Sequence, residues 1–532
     1  MSVSKAAPSP KAKPKSAATS AATSSRPKSP TRASKELALA RVTFVGHAVP
    51  YLLLVVGAVF VIWQVRHLHG YTYGLWHGNP WSDYDEGVYL TSARQLNNGH
   101  AIFSQVFSSQ PMLFLAGLAL TLQLGGGTPD AGHVYSLICG LFALGGVAWL
   151  CWEVGGRWSA LLSTVLLALS PGFVIASHAI EAEAPMLAFG SLAVAASARY
   201  ARYGERRWVA IACALLAAAT LSKLLAVAIA LPIVVAVLLK WLEFDRPGIP
   251  RRLLLDIGTG AACFVVPVAA VFALISPSAQ WDQVISFHLK ASEIYSKPPW
   301  LTANGPTFSR FFGWDPGLVA FAVAGVAVAA VLRRRLALIP IAWLIATLAT
   351  LVRYHPLFIH HLTVLLAPLA ALAGVVVAFD SAPKLAVLQR VAAGLLILCA
   401  TVVYLMWLPE ILDHSRSAFI VDANPIRASQ ATWLVQHSGP ADTILVDDQM
   451  VAVAANRLVP PALTDTSTVR SLSGYLPLSL LTEALSSSHV RTVLLVRTLQ
   501  YDKEFVQWLR AHYREVPLPA GYKAIAFVAP NT

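Results

Sequence analysis

The run VPYLLLVVGAVFVIWQV, residues 49–65, carries no charged side chain and is close to the length of about 20 residues that a membrane-spanning helix needs. Two further runs have the same character, LLAVAIALPIVVAVLL at 224–239 and AGLLILCATVVYLMWL at 393–408. Of the 532 residues, 56% are hydrophobic and 13% are charged, whereas about 45–50% of a soluble chain is apolar. The sequence therefore predicts a polytopic α-helical membrane protein.

The formal net charge of +13 is concentrated at the N-terminus. Residues 1–41 are rich in Lys and Arg in a Ser, Ala and Pro background, and Glu36 is their only acid. Such a segment has too few apolar side chains to form a core, which predicts disorder. Basic segments of this kind mark the cytoplasmic side and contact anionic lipids. We therefore predict a disordered cytoplasmic tail over 1–41 that binds membrane lipids and no nucleic acid.

Five charged breaks separate the later apolar runs, at 153–158, 199–208, 240–252, 333–335 and 380–390. Because short cytoplasmic loops are rich in Lys and Arg, we place all five in the cytoplasm. With these breaks and the N-terminus in the cytoplasm, an even number of crossings must separate any two of them. This condition, which we call the parity, predicts about eleven transmembrane helices, at about 43–66, 131–152, 158–178, 183–200, 208–221, 224–240, 253–276, 316–332, 336–352, 358–379 and 391–409. Counting the apolar stretch 112–127 as a span would invert every later loop. We predict instead a re-entrant or interfacial helix within the first external loop.

The parity also predicts which segments lie outside. These are the acidic loop around residue 85, the loop EAEAP at 181–185, the long loop 277–315 and everything after about residue 410. A transmembrane domain over 42–410 and an extracytoplasmic domain over 411–532 follow. In the latter, strand-like TILVDD (443–448), TVLLVR (492–497) and KAIAFVA (523–529) alternate with helical patterns, which predicts a small soluble α/β domain.

Two acids, Asp447 and Asp448, end the first of these predicted strands. Ligands of α/β sheets bind at the carboxyl ends of strands. Acids at that position also cap the helix that follows. Both roles stay open, and capping is favoured.

Three acids, Asp83, Asp85 and Glu86, lie within the stretch WSDYDEGVYLTSARQL, residues 81–96. The apolar positions after them are spaced for an amphipathic helix, and one acid suffices to cap it. Clustered carboxylates repel one another, and their burial is costly unless a proton or a cation compensates it. Two more acids, Glu181 and Glu183, are predicted at the same membrane face. The pattern favours a functional site over simple capping.

The stretch DEGVYLTSARQLNNGHAIFSQVFSSQPMLFL, residues 85–115, resembles the first external loop of the glycosyltransferase C superfamily. These are polyprenyl-phosphate-sugar-dependent transferases, including protein O-mannosyltransferases, lipid A aminoarabinose transferases and RgtA-like bacterial enzymes. The matching features are Asp85, Glu86, Tyr89, Gly99 and the segment SSQPMLFL. Further matches are the Lys of TLSKLL near the start of the sixth span and the polar cluster RYHPLFIHHL before the tenth. AEAP after the third span is a looser match, because Asp is commoner than Glu there. The resemblance extends over about residues 43–410.

The resemblance implies an inverting transfer of a sugar from a lipid phosphate to an acceptor hydroxyl on the outer membrane face. Such a step needs a carboxylate that accepts the acceptor proton and cations that neutralise the departing phosphate. Asp85 is the predicted base, and Asp83, Glu86 and Glu183 complete the catalytic acids. The predicted phosphate ligands are Lys223, Arg353, His360 and His361. Glu181, Tyr89 and His288 are predicted to contact or position the acceptor.

Two opposing effects act on the pKa of Asp85. A helix N-terminus lowers it, whereas burial and neighbouring acids raise it. If the lowering effect dominates, a divalent cation held by Asp85 and Glu183 is favoured, although the spacing of these oxygen ligands is a weak metal signal. No other cofactor is predicted.

The alternative function is a transporter or flippase of lipid-linked glycans. That class places its charged residues inside spans at mid-membrane and often shows internal repeats, and no repeat is evident here. A third alternative is a non-catalytic envelope assembly protein. The donor sugar stays open, and a glycan, a lipid or a protein remains as acceptor, because sugar selectivity depends on the shape of the pocket.

Overall fold

The computed structural model describes residues 32–66, 76–77, 83–242, 251–295, 300–378, 387–417, 422–423, 425–518 and 522–530. Contacts divide the chain into two units, Met1–Ala48 and Val49–Thr532, and the account below concerns the second. Most of the predicted tail, residues 1–31, lies outside the described residues. Helix α1, Arg32–Arg66, begins inside the predicted tail, where KELALAR consists largely of strong helix formers.

Helices account for nearly all of the described chain up to residue 417. They are α1, then α2 Asp83–Asn97, α3 Met112–Leu124, α4 Pro129–Gly155, α5 Arg157–Leu169, α6 Pro171–Ala176, α7 Glu183–Tyr203, α8 Arg206–Ser222, α9 Ala230–Trp241, α10 Arg251–Leu274, α11 Pro277–Trp281, α12 Phe287–Tyr295, α13 Trp300–Trp314, α14 Pro316–Val331, α15 Leu338–Arg353, α16 Leu366–Val375 and α17 Val387–Ser417. Short 3-10 segments precede α9, α15 and α16, at Leu224–Ile229, Arg335–Ala337 and Ile359–Leu365, and a π-helical turn, Asp282–Ser286, precedes α12.

Six helices among the described residues are long and apolar enough to cross a membrane, and the bent pair Asn304–Trp314 and Pro316–Val331 would make a seventh. The chain is therefore a multi-pass helical membrane protein. Each of the eleven predicted spans coincides with one helix or with two consecutive ones, but several are short, and the count of eleven stays a prediction. Helix α3, the predicted re-entrant segment, has 13 residues and is too short to be one of the six.

The segment between the predicted spans ending at 276 and beginning at 316 was expected to be a long loop. In its described part it is helical instead, through α11, α12 and α13. Apolar side chains explain this: Val284 and Phe287 are buried, and Val284 packs in the same cluster as Leu90 of α2. Residues 296–299 of this segment lie outside the described chain.

Segments predicted to share the cytoplasmic side contact one another through ion pairs. Glu153, at the end of α4, lies 2.6 Å from Arg199 and 3.3 Å from Arg202, both near the end of α7. Arg206, which begins α8, lies 2.7 Å from Asp256 of α10. Glu153 and Asp256 are buried, so each requires such a partner. Arg252, in the break 240–252, also donates to Gly204 O, so three of the predicted cytoplasmic breaks contact one another.

Cysteine labelling tests the predicted sidedness. Glu205 lies at the end that we assign to the cytoplasm, and Thr128 follows α3; both are exposed. With a membrane-impermeant thiol reagent we expect Thr128→Cys to react from outside and Glu205→Cys only after the membrane is opened. The unsubstituted protein measures the background from Cys399, which is exposed. External reaction of Glu205→Cys would overturn the parity.

The C-terminal part contains a four-stranded sheet. Its strands are β3 Ile444–Val446, β4 Thr492–Leu495, β5 Arg514–Val516 and β6 Ile525–Val528, in the order β3-β4-β6-β5, whereas β1 Trp76–His77 and β2 Asp422–Ala423 form a separate antiparallel pair. Strands β3 and β4 are parallel, and Leu445 pairs with Val493. Helices α18 Pro425–His437, α19 Gln449–Ala454, α20 Thr468–Leu472, α21 Leu478–Ser487 and α22 Lys503–His512 accompany the sheet. Three of the strands lie within the predicted strand stretches.

Helix α2 carries Asp85 and packs directly against α19 of the C-terminal part. The approach is close at Gly87, where an added Cβ would lie 2.7 Å from the backbone C of Gln449 and 2.9 Å from Cα of Met450. Three polar contacts accompany it: Thr466 N donates to Tyr84 Oη at 3.1 Å, Thr91 Oγ1 donates to Thr464 O at 3.5 Å, and Gln95 donates to Val459 O. The C-terminal part is thus held against the acidic helix.

Replacing Gly87 by Ala should separate these two helices, because backbone atoms cannot move aside as a flexible side chain can. We expect a loss of about 1–3 kcal/mol of stability, the usual cost of overpacking. Melting of the purified protein measures it. Gly57→Ala, in α1, is the matched control, since nothing lies within 4 Å of its added Cβ. Equal melting temperatures for both variants would contradict the close packing.

Candidate functional site

One cavity of about 550 Å³ joins residues that are far apart in sequence. Its lining includes Asp85 of α2, Lys223 after α8, His360 before α16, and Asp465 and Arg497 of the C-terminal part. The predicted outer segments therefore meet in one place. Both acidic and basic side chains line the cavity, which suits a charged and hydroxylated ligand.

Asp85 lies in the first turn of α2 and remains partly exposed to the cavity. Burial raises the pKa of its carboxyl from 3.8 to about 7, and the negative charge of Asp465 acts in the same direction. The positive charge of Lys223 acts against this rise. Burial is the largest of these effects, so the pKa is raised. A carboxyl that titrates near neutral pH is suited to accept a proton.

Glu183 and Lys223 form an ion pair with 2.5 Å between Oε1 and Nζ, and both side chains are buried. The fold explains the meeting, because Glu183 begins α7 and Lys223 directly follows α8. A buried ammonium needs an anionic partner, and a donor phosphate is one candidate. Glu183 already meets this requirement, so burial alone no longer argues that Lys223 binds phosphate.

Glu181 and His360 lie next to this pair. His360 Nδ1 is 3.7 Å from Glu181 Oε1, and His360 Nε2 is 4.0 Å from Glu183 Oε1. Burial, with the neighbouring charges of Glu183 and Asp85, raises the pKa of Glu181 well above its ordinary value. Glu181 Oε1 is buried and accepts no hydrogen bond within the described chain. An additional cation or a proton would satisfy it.

Two sets of side chains can hold a metal ion, with one ligand atom from each residue and all atoms within 4.8 Å of one another. They are Asp85, Glu181 and His360, and Glu183, His360 and His361. The first set fits better, because Glu181 Oε1 is unsatisfied whereas Glu183 already faces the Lys223 ammonium. Mixed carboxylate and imidazole ligands suit a transition metal more than Ca²⁺.

Glu86 points away from the cavity, although it directly follows Asp85. Its side chain is fully buried, and its Oε1 accepts a hydrogen bond of 2.9 Å from the backbone N of Ile180. His133 Nδ1 lies 3.9 Å from the same oxygen. Glu86 therefore ties α2 to the segment that carries Glu181, and its predicted catalytic role stays a prediction.

The other predicted residues differ in where they lie relative to the cavity. Tyr89, His288 and His361 line the cavity. Arg353 is exposed at the end of α15 and is absent from the lining. The side chain of Asp83 lies outside the described part of the chain.

Burial lowers the pKa of His288 to about 4, and its Nδ1 lies 2.9 Å from Val284 O. It is neutral at physiological pH and offers an uncharged ring to a ligand. A neutral ring can position a substrate, but it adds no charge that would neutralise a phosphate.

Asp465 and Arg497 were not predicted from the sequence. Arg497 lies two residues after the end of β4, and Asp447 directly follows the neighbouring strand β3. The Asp447 carboxylate accepts hydrogen bonds from the backbone N of Val496, Arg497 and Leu499, at 2.6–3.0 Å. At this carboxyl-end edge of the sheet, Arg497 lines the cavity, whereas backbone N–H groups occupy the Asp447 carboxylate. Asp448 caps α19, as favoured, by accepting from Met450 N.

A family model described as dolichyl-phosphate-mannose-protein mannosyltransferase matches residues 109–270. Two solved structures of ArnT from Cupriavidus metallidurans share the fold. The one bound to undecaprenyl phosphate has a TM-score of 0.61 and 15% identity, covering 88% of this chain and 97% of that chain. The apo state has a TM-score of 0.58 and 16% identity, with the same coverage of both chains. No curated protein sequence matches this chain.

The family match covers less than half of the chain, and identities of 15–16% show a shared fold. Together they support the glycosyltransferase C superfamily for this protein. The superfamily predicted from the acidic loop is confirmed.

Proposed function

We propose that this protein is an inverting membrane glycosyltransferase that moves a sugar from a polyprenyl-phosphate donor to an acceptor hydroxyl on the outer membrane face. The observation that carries this proposal is the cavity that joins Asp85, partly exposed and with a pKa near 7, to Lys223 and His360. The shared fold with ArnT, solved with undecaprenyl phosphate, supports a lipid-phosphate donor. It leaves hexosyl and pentosyl donors equally open.

In the proposed step, the Asp85 carboxylate accepts the proton of the acceptor hydroxyl. The freed oxygen attacks the anomeric carbon while the bond from that carbon to the phosphate oxygen breaks. A single displacement of this kind inverts the anomeric configuration, and the polyprenyl phosphate leaves with the bonding electrons. Tyr89 and His288 line the same cavity and, with Glu181, are assigned to contact or position the acceptor.

Three side chains are assigned to the phosphate. His360 and His361 line the cavity beside Lys223, and all three are at least nine-tenths buried. A basic group in a water-poor site stabilises developing negative charge more than it would in water. Arg353, exposed and outside the cavity lining, is left out of this assignment.

A divalent cation is an addition to the proposed site and not a requirement. Asp85, Glu181 and His360 would hold it, and when bound it would neutralise charge on the phosphate. Glu183 is no longer part of this set, because its carboxylate faces Lys223.

The proposed topology places the N-terminus in the cytoplasm and the C-terminal α/β domain outside. Domain limits of 1–41, 42–410 and 411–532 remain proposals, although α17 extends to Ser417 and so carries the membrane domain beyond residue 410. A glycan, a lipid and a protein all remain as acceptor classes at this level.

Donor consumption tests the proposal. Full-length protein in lipid nanodiscs is incubated with radiolabelled polyprenyl-phosphate hexoses and pentoses, and the products are separated by thin-layer chromatography. We expect one donor to be consumed, with polyprenyl phosphate released, and Asp85→Asn to abolish most of that loss. Intact donor that crosses the bilayer of protein-containing vesicles would instead favour the transporter alternative.

A further inference from the structure

The C-terminal part forms one wall of the cavity, and two of its side chains stand opposite the membrane helices. Asp465 and Arg497 line the cavity with Ser467 and Thr468. The charges of Asp465 and Arg497 act on Asp85, as does the charge of Lys223 on the membrane side. Asp85 therefore shares the cavity with Lys223 of the membrane part and with two charged side chains of the C-terminal part that have no assigned ligand.

Asp465 has one carboxylate oxygen free for a ligand. The residue is 7% exposed, and its Oδ1 accepts from Ser467 N at 2.8 Å and from Tyr84 Oη at 3.4 Å. Within the described chain, no hydrogen bond reaches Oδ2. A carboxylate oxygen that is held in place and faces a polar cavity is an acceptor for a hydroxyl group.

Arg497 has a fixed place and no acidic partner. Its guanidinium carbon lies 4.3 Å above the centre of the Tyr84 ring, and Asp447 holds its backbone. No carboxylate among the described residues lies within ion-pair distance of it, in contrast to Lys223 and Arg427. An ordered guanidinium with unused N–H groups is a donor for ligand oxygen atoms.

We propose that Asp465 and Arg497 form an acceptor subsite for the vicinal hydroxyls of a sugar ring, so that the acceptor is a glycan. One hydroxyl donates to Asp465 Oδ2, and the oxygen of its neighbour accepts from Arg497. A Ser or Thr acceptor presents a single hydroxyl, which Asp85 takes, and would leave both groups without a partner. This inference rests on the proposed function, since it assigns the acceptor of that reaction.

Binding of simple glycosides to the full-length protein in nanodiscs tests the subsite, by saturation-transfer NMR. The probes are methyl glycosides of glucose, galactose, mannose and arabinose, compared with their 2,3-di-O-methyl ethers and with N-acetylserinamide. We expect at least one glycoside to bind and its ether to bind more weakly. Asp465→Asn and Arg497→Gln should each reduce affinity at least about tenfold, the scale of one hydrogen bond to a charged group.

Two controls accompany the variants. Arg510→Gln and Glu515→Gln remove an exposed ion pair of the same part of the chain and should leave glycoside binding unchanged. Polyprenyl-phosphate affinity should be equal in wild type, Asp465→Asn and Arg497→Gln, because all the assigned phosphate ligands belong to the membrane part and none to the C-terminal part. Should Asp465→Asn fail to fold, Arg497→Gln carries the test, since its side chain is exposed.

The outcomes separate the two proposals. A wild-type protein that binds no polyprenyl phosphate contradicts the proposed function. If it binds polyprenyl phosphate, the glycan subsite is overturned by any of three results: no glycoside binds, N-acetylserinamide binding alone depends on Asp465 and Arg497, or Arg497→Gln weakens phosphate binding instead of glycoside binding.

Discussion

Asp85→Asn is expected to lower the rate of sugar transfer by about 10² or more, the usual scale for loss of a general base. The amide keeps the size of the side chain, so membrane insertion and folding should be normal. The cavity then retains its shape and its assigned phosphate ligands. The rate of donor consumption by purified wild type and variant measures the effect.

The rate should also depend on pH in a defined direction. A base acts in its deprotonated form, and the pKa of Asp85 is raised to about 7 by burial and by Asp465. Activity should therefore rise as the pH increases through about 7. Because the pKa in the folded state exceeds the ordinary 3.8, the folded protein loses stability as the pH rises from 3.8 to about 7, where this carboxyl ionises more readily in the unfolded chain.

The Asp85→Asn variant tests the predicted pH dependence of both activity and stability. It should show a low rate without the step near pH 7, and at pH 8 it should melt at a higher temperature than wild type. Donor turnover within a few-fold of wild type, or an unchanged pH profile, would show that another group accepts the proton.

Lys223→Ala is expected to destabilise the protein by about 3–5 kcal/mol, because it leaves the Glu183 carboxylate buried without its ion-pair partner. Removing one member of a buried pair costs more than removing both. We therefore expect the double variant Glu183→Gln with Lys223→Met to regain most of the lost stability. Thermal melting of the wild type, the single variant and the double variant measures this.

The double variant also tests whether Lys223 binds the donor. It should fold, so its affinity for polyprenyl phosphate can be titrated directly. Weaker binding than wild type would assign Lys223 to the phosphate as well as to Glu183. Equal affinity would restrict Lys223 to the ion pair and leave His360 and His361 as the phosphate ligands.

Local patterns in the sequence determined much of this fold. The apolar runs mark the helices because a spanning segment must be apolar along its whole length, and each predicted span meets one helix or two consecutive ones. The alternation after residue 424 located the strands, because β-branched runs between turns favour extended chain. The acidic loop indicated the superfamily and gave Asp85 as the predicted base, since the residues of that motif are contiguous in the chain.

Only the tertiary structure decided which side chains meet. Glu86 points away from its neighbour Asp85 and holds Ile180, because successive residues of a helix face different directions. Lys223 forms an ion pair with Glu183 of another helix, and this pair accounts for its burial without a phosphate. Asp465 and Arg497 reach Asp85 across hundreds of residues through the close packing of α2 on α19 at Gly87. The pKa of Asp85 likewise depends on burial and on Asp465, and long-range packing of this kind has no counterpart in the local order of residues.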